Sequence, residues 1–133
     1  LPPRYQDWLK QAERDLKAAQ DSLRAGNYEW AVFQALQAAE KALKAVLLFC
    51  GKVVRGHSLK HLYYHLKFDA DLGIPEETLA ELDRHYITTR YPNGFAEGYP
   101  GEYYSEAKAR ECINYARAVV EKAVSFLSET PQL

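Results

Sequence analysis

Between Tyr28 and Cys50 the chain reads YEWAVFQALQAAEKALKAVLLFC, a stretch rich in alanine and leucine that contains neither glycine nor proline. Val32, Leu36, Ala39, Leu43, Val46 and Cys50 recur every three or four positions, the spacing that lines up one side of an α-helix. Trp30, Phe33, Leu47 and Leu48 carry the apolar surface well beyond that side. A helix apolar over most of its girth cannot lie on a surface, so this one is expected at the centre, with several neighbours around it. One polar strip, Gln37, Glu40, Lys41 and Lys44, is left unexplained by that pattern, and function is expected near it.

The rest of the chain supplies the neighbours. From about Arg4 to Ala25, Tyr5, Trp8, Leu9, Ala12, Leu16, Ala19 and Leu23 share one helical face opposite charged residues, which predicts an amphipathic outer helix. Gly26 can close it and Asn27 can cap the next, and so short a link makes the two helices antiparallel. A shorter helix is predicted from about Leu59 to Asp71 with Ser58 as its cap, and a fourth from Pro75 to about Thr89 on the stripe Leu79, Leu82 and Tyr86. Tyr91 to Tyr104 holds Pro92, Gly94, Gly98, Pro100 and Gly101, so no regular element is expected there. Loops of this length in compact domains are usually functional, or else mobile. A last helix, about Ser105 to Ser128, is capped by Ser105 and carries Ala109, Cys112, Ile113, Ala116, Val120, Ala123 and Leu127 on one face, small residues suited to close packing on the central helix. Nothing alternates as a strand would. The fold class is therefore all-α, an up-and-down bundle of four longer helices plus one shorter helix, in one domain spanning residues 1–133.

Composition excludes several functions. With 47% hydrophobic residues the chain can build a core, yet no apolar run approaches the roughly 20 residues of a membrane-spanning helix. The opening LPPRYQDW lacks the basic-then-apolar order of a secretory signal, and Cys50 and Cys112 fall at apolar helical positions as buried reduced thiols. A soluble cytoplasmic protein is expected. Seventeen Lys and Arg against eighteen Asp and Glu leave no overall field for coating nucleic acid, although a local basic site remains open.

Three groups of residues carry candidate chemistry. Gln37, Glu40 and Lys44 stand at i, i+3 and i+7, with Glu40 four residues before Lys44, a spacing that allows an ion pair. The strip reads either as a solvated face or, since the helix has little side to spare for water, as a seam or pocket edge walled by Phe33 and Leu48. His57, His61 and His65 also follow at steps of four, but no acid is interleaved as in HExxH, and with Ser58 as cap His57 falls outside the helix. No metal and no cofactor are expected. Arg90 stands at a helix end before Tyr91 and Pro92. Its guanidinium suits a bidentate phosphate contact and the nearby tyrosines suit stacking on bases, whereas capping of the preceding carbonyls and sealing of the bundle's end are the plainer uses. No phosphate-cradling loop, nucleophile elbow or CxxC pair is present.

Taken together, WLKQAERDLKAAQDSL, NYEWAVFQALQAAEKALKAVL, the HSL at 57–59 and YITTRYPNG followed by EGYPGEYYSEAKA resemble a small prokaryotic HEPN domain over nearly the whole chain. QAAEKALKA and TRYP before a Gly- and Tyr-rich loop carry most of that resemblance. It implies a helical bundle that forms a homodimer, often beside a minimal nucleotidyltransferase, in a toxin–antitoxin or nucleotide-handling pair. It also implies, for many members, ribonuclease activity from Arg, four to six residues, then His. Here the permitted positions after Arg90 hold Phe95, Ala96 and Glu97, so a binding role for Arg90 is expected to outlast the acid–base chemistry. Arg55 and His61 match the spacing formally, but in a loop and the start of the third helix. His57, His61 or His85 is left to supply an imidazole from elsewhere.

Three readings follow. The first is a homodimeric binding module that engages a nucleotide, an RNA phosphate or a nucleotidyltransferase partner through Arg90, Tyr91, His57 and the strip Gln37, Glu40, Lys41 and Lys44. The second is a metal-independent ribonuclease with a rearranged arginine–histidine pair, and the third a helical adaptor that only docks a partner.

Overall fold

The computed structural model describes residues 4–130. The start of the LPPRYQDW stretch and the two ends of the 1–133 domain span lie outside the described residues. All regular structure among them is helical: α1 Tyr5–Arg24, α2 Tyr28–Phe49, α3 Leu59–Leu66, α4 Glu76–Asp83, a 3-10 turn Pro92–Gly94, the single-turn α5 Pro100–Tyr103, and α6 Glu106–Glu129.

Helices α1 and α2 form an antiparallel hairpin. Gly26 (φ 82°) turns the chain, and the Asn27 amide reaches back 2.9 Å to the Ser22 carbonyl. Asn27 occupies the N-cap of α2, but its side chain makes no cap hydrogen bond, so the expected Asn27 cap is corrected to a backbone turn. Helix α6 packs along α2 and also touches α1, while α3 leans on α2 and α4, and α4 reaches α6.

Alanine explains how α2 can be wrapped. Ala31, Ala35, Ala38, Ala39, Ala42 and Ala45 have no exposed surface, and neither do Ala12 and Ala19 of α1 or Ala109, Ala116 and Ala123 of α6. The alanines of both outer helices are spaced by seven, so each presents a small residue to α2 every second turn. Backbones can then approach closely, and Leu36, Leu43, Val46, Leu47, Ile113 and Val119 fill the remaining space. Cys112 lies fully buried among them, and burial pushes its thiol up to about 12. Both cysteines are free.

Three boundaries differ from the sequence expectation. Helix α3 stops at Leu66 instead of Asp71, because the Asp71 carboxylate takes the Gly73 amide (2.9 Å) and the Tyr63 hydroxyl (2.8 Å) and holds that stretch in a turn. The fourth helix is also shorter than expected, since α4 ends at Asp83 and residues 84–90 continue only as turns. The run Ile87-Thr88-Thr89 is β-branched, and the Thr89 hydroxyl bonds the His85 carbonyl at 2.8 Å, both unfavourable to a regular helix. Finally, Tyr91 to Tyr104 is not wholly irregular. Pro92 and Pro100 each open a short helical turn, a place where the missing N–H costs nothing.

One carboxylate ties the short helices together. Asp83, at the end of α4, accepts from the Leu59 amide (2.7 Å), the Lys60 amide (3.1 Å) and the Ser58 hydroxyl (3.1 Å) at the start of α3. Two otherwise unpartnered helix N–H groups are satisfied and a negative charge sits at the positive end of α3. Ser58 also caps α3 by accepting from the His61 amide. The consequence is positional: the residue before Ser58, His57, is brought against the turns that follow Asp83.

Candidate functional site

Those turns prepare Arg90. Its amide bonds the Ile87 carbonyl at 3.1 Å, one residue short of the α-helical partner, which frees the Tyr86 carbonyl. The Arg90 side chain then caps that carbonyl, with Nε at 3.1 Å and Nη2 at 2.7 Å. Its guanidinium carbon stands 4.4 Å from the ring centre of Phe33 on α2, 4.5 Å from Tyr86 and 4.9 Å from Tyr91. The plainer use, capping, is therefore real, but it engages only part of the donor fork. No carboxylate pairs with this half-buried cation among the described residues, so the rings and one carbonyl dipole are what compensate it. Around it Trp30, Ile87 and Tyr91 are about half exposed, at 48%, 46% and 48%.

The polar strip of α2 reaches the same place by a second route. Glu40 is 6% exposed and divides its oxygens between Lys44 (3.1 Å) and His57 Nδ1 (2.9 Å). The His57 ring in turn stacks on Tyr86, with centroids 4.9 Å apart and planes 18° from parallel. Glu40, Lys44 and His57 are thus joined through Tyr86 to Arg90 and Tyr91. Lys41 is not among them. Its ammonium faces Asp15 of α1 at 2.5 Å, so the strip splits between two sides of the helix. Gln37 is partly buried one turn from Phe33, and its side chain makes no hydrogen bond to another described residue.

The remaining histidines go elsewhere. His61 and His65 meet edge to face, 4.6 Å apart, and no group of three His, Cys, Asp or Glu side chains placed to hold a metal gathers among the described residues. His85 belongs to a second polar cluster that sequence reasoning missed. Its Nε2 lies 2.7 Å from Glu81 and its Nδ1 2.7 Å from the Tyr104 hydroxyl, which also meets Thr88 Oγ1 at 2.7 Å. The hydrogen bond to His85 holds the Glu81 carboxyl below its ordinary range against the opposing effect of burial, with Lys108 helping. Burial pushes the Tyr104 hydroxyl up, and a hydrogen bond to Glu111 raises the Lys108 ammonium. Glu81 and His85 stand at i and i+4, a legible pair, but nothing in the sequence brought Tyr104 across the loop to it.

Comparison with known proteins places this geometry in a setting. The family model described as HEPN domain matches residues 5–127. Putative toxin MJ1304 of Methanocaldococcus jannaschii is 32% identical over 134 residues, covering 92% of this chain and 87% of its own length. The crystal structure of TT1696 from Thermus thermophilus superposes with a TM-score of 0.88 at 39% identity, covering 93% of this chain and 98% of that one. The crystal structure of ST0689, an archaeal HEPN homologue, gives a TM-score of 0.77 at 42% identity, with 92% of this chain and 96% of that one covered. In both solved structures, as here, the likeness runs nearly end to end.

Proposed function

Because the chain belongs to the HEPN domain family, whose model spans residues 5–127, we propose that it works in a toxin–antitoxin-like pair and binds the phosphate of a nucleotide or RNA on Arg90. The observation that carries this reading is a half-buried guanidinium stacked on three rings, with part of its fork uncommitted and no carboxylate partner among the described residues. A phosphate oxygen supplies the missing charge, and the exposed rings of Tyr91 and Trp30 offer base-stacking surfaces. Glu40, Lys44 and His57 keep Tyr86 in place beneath the guanidinium. Gln37 borders this group, whereas Lys41, committed to Asp15, lies outside the contact.

The same half-exposed side chains, Trp30, Ile87 and Tyr91, offer an apolar border for a second copy, and we assign the partner role in the pair to a minimal nucleotidyltransferase. The name putative toxin, carried by MJ1304, supports a toxin–antitoxin pair; the nucleotidyltransferase as partner rests on the family resemblance alone. Calorimetric titration of ATP and of short RNAs into the native chain and into Arg90→Ala tests the site. Binding by the native chain and much weaker binding by the variant are expected, and equal affinities overturn the assignment. Tight capture of a nucleotidyltransferase with no nucleotide heat would instead favour an adaptor.

One observation favours a second reading. The Tyr86 ring is shared by an imidazole and the arginine, since His57 stacks on it and Arg90 overlies it, although no histidine follows Arg90 by four to six residues. RNA cleavage that survives EDTA and disappears in both Arg90→Ala and His57→Ala would make the site a ribonuclease centre.

A further inference from the structure

Neither polar cluster accounts for a groove of about 380 Å³ between the carboxyl-terminal half of α2, the loop that follows it and Trp8 of α1. That volume falls in the range of small-molecule sites. Leu47, Leu48, Val53 and Val54 make its walls apolar. Val53 is 78% exposed, a large apolar surface left open at the groove's rim. The loop wall is held at both ends. Lys52 Nζ bonds the His65 carbonyl (3.0 Å) and the Asp69 carboxylate (2.5 Å), and His57 bonds Glu40.

Charge decides what can fill it. Three cations border the groove, Lys44, Lys52 and Arg55. Lys44 is neutralised by Glu40 and Lys52 by Asp69. Arg55 is exposed and pairs with no carboxylate among the described residues, so its whole donor fork is available. The groove therefore offers aliphatic walls, the Trp8 indole and a single cation with no carboxylate partner among the described residues. We infer that it binds an organic monoanion with an apolar body, a medium-chain aliphatic or aromatic carboxylate. The body lies along Leu48, Val53 and Val54 beside Trp8, and the carboxylate is taken bidentately by Arg55. A nucleotide is the wrong chemistry here, since several phosphate charges would face one free cation and the polar base edges would meet aliphatic walls. The groove shares Lys44 with the Glu40–His57 group, but neither Arg90 nor the rings around it line the groove.

The test uses octanoate as probe, octanol as its uncharged counterpart and inorganic phosphate as the charge without a body. The chain has two tryptophans among ten tyrosines, so Trp30→Phe leaves Trp8 as the sole indole reporter when excitation is set at the red edge, where tyrosine does not absorb. Saturable quenching of Trp8 by octanoate is expected, with weaker binding of octanol and no saturation by phosphate. Arg55→Gln should weaken octanoate about tenfold, the loss of a charge-assisted contact. Val53→Ser should also weaken it, and Arg90→Ala should leave it unchanged. Arg55 and Val53 are exposed, so neither substitution endangers folding. Absence of a saturable octanoate response, equal affinity in Arg55→Gln, or saturation by phosphate alone overturns the proposal. Loss of nucleotide heat in Arg90→Ala with octanoate binding retained separates this site from the other.

Discussion

Two groupings in this fold join a carboxylate, an imidazole and a phenol, and they end differently. Around His85, Glu81 takes one ring nitrogen, Tyr104 the other, and Thr88 takes the tyrosine hydroxyl, so the polar atoms meet one another and the chain of bonds closes. Around His57, Glu40 takes one ring nitrogen and the ring face lies on Tyr86, whose carbonyl holds an arginine with no carboxylate partner among the described residues. The closed group joins α4 and its turns to the start of α6 and has nothing left to offer a ligand. The open group ends in a guanidinium that has rings and a carbonyl around it but no carboxylate partner among the described residues. The two groups have the same residue types and differ in whether their bonds terminate inside the chain, which is the ground for proposing a ligand at one and not at the other.

The contrast can be broken in four places. Glu40→Ala should cost most, about 2 to 3 kcal/mol of stability by urea unfolding, because it strands the Lys44 ammonium in a part-buried site. A loss within about 0.5 kcal/mol would mean that the strip is merely solvated. Arg90→Ala should come next, weakening ATP or RNA binding about thirtyfold, roughly 2 kcal/mol, with little change in stability. Tyr104→Phe, in the closed group, should do the reverse: about 1 kcal/mol of stability lost and ligand heats unchanged. If it lowered affinity as much as Arg90→Ala, the two groups would be one site.

The smallest effect concerns acid. Glu81 has a folded pKa below its ordinary 4.5, chiefly through the hydrogen bond to His85, so its contribution is complete above the ordinary value. That contribution is lost as the pH falls through the lower folded value. Glu81→Gln should therefore flatten stability against pH below about 4.5 and leave the dependence above it alone, as read by urea midpoints across that window. A dependence that persists unchanged in the variant would remove Glu81 from the account.

Much of this was readable in the linear order of residues. The central helix followed from apolar positions too numerous for one face, and the packing of the last helix on it from the small residues along one face of that helix. The Ser58 and Ser105 caps followed from side chains suited to accept a backbone N–H, and both bond the amide three residues on. Less readable was the shortness of α4, because Leu79, Leu82 and Tyr86 keep helical spacing past Asp83 while the threonine hydroxyls turn to the backbone. That shortening proved essential to the site, since an unbroken helix would have used the Tyr86 carbonyl and left Arg90 free to point elsewhere.

By itself, then, the order of side chains determined the helical class, the buried identity of α2 and the short list of unusual polar residues, because periodicity and size act locally. Which of those residues meet was decided only in three dimensions. Asp83 reaching the amides of α3 set His57 on Tyr86, Asp15 drew Lys41 to the far side of α2, and Tyr104 crossed its loop to His85. Each is a contact between segments whose separation in sequence carries no signal, made because a buried donor or charge must find a partner wherever the packing leaves one.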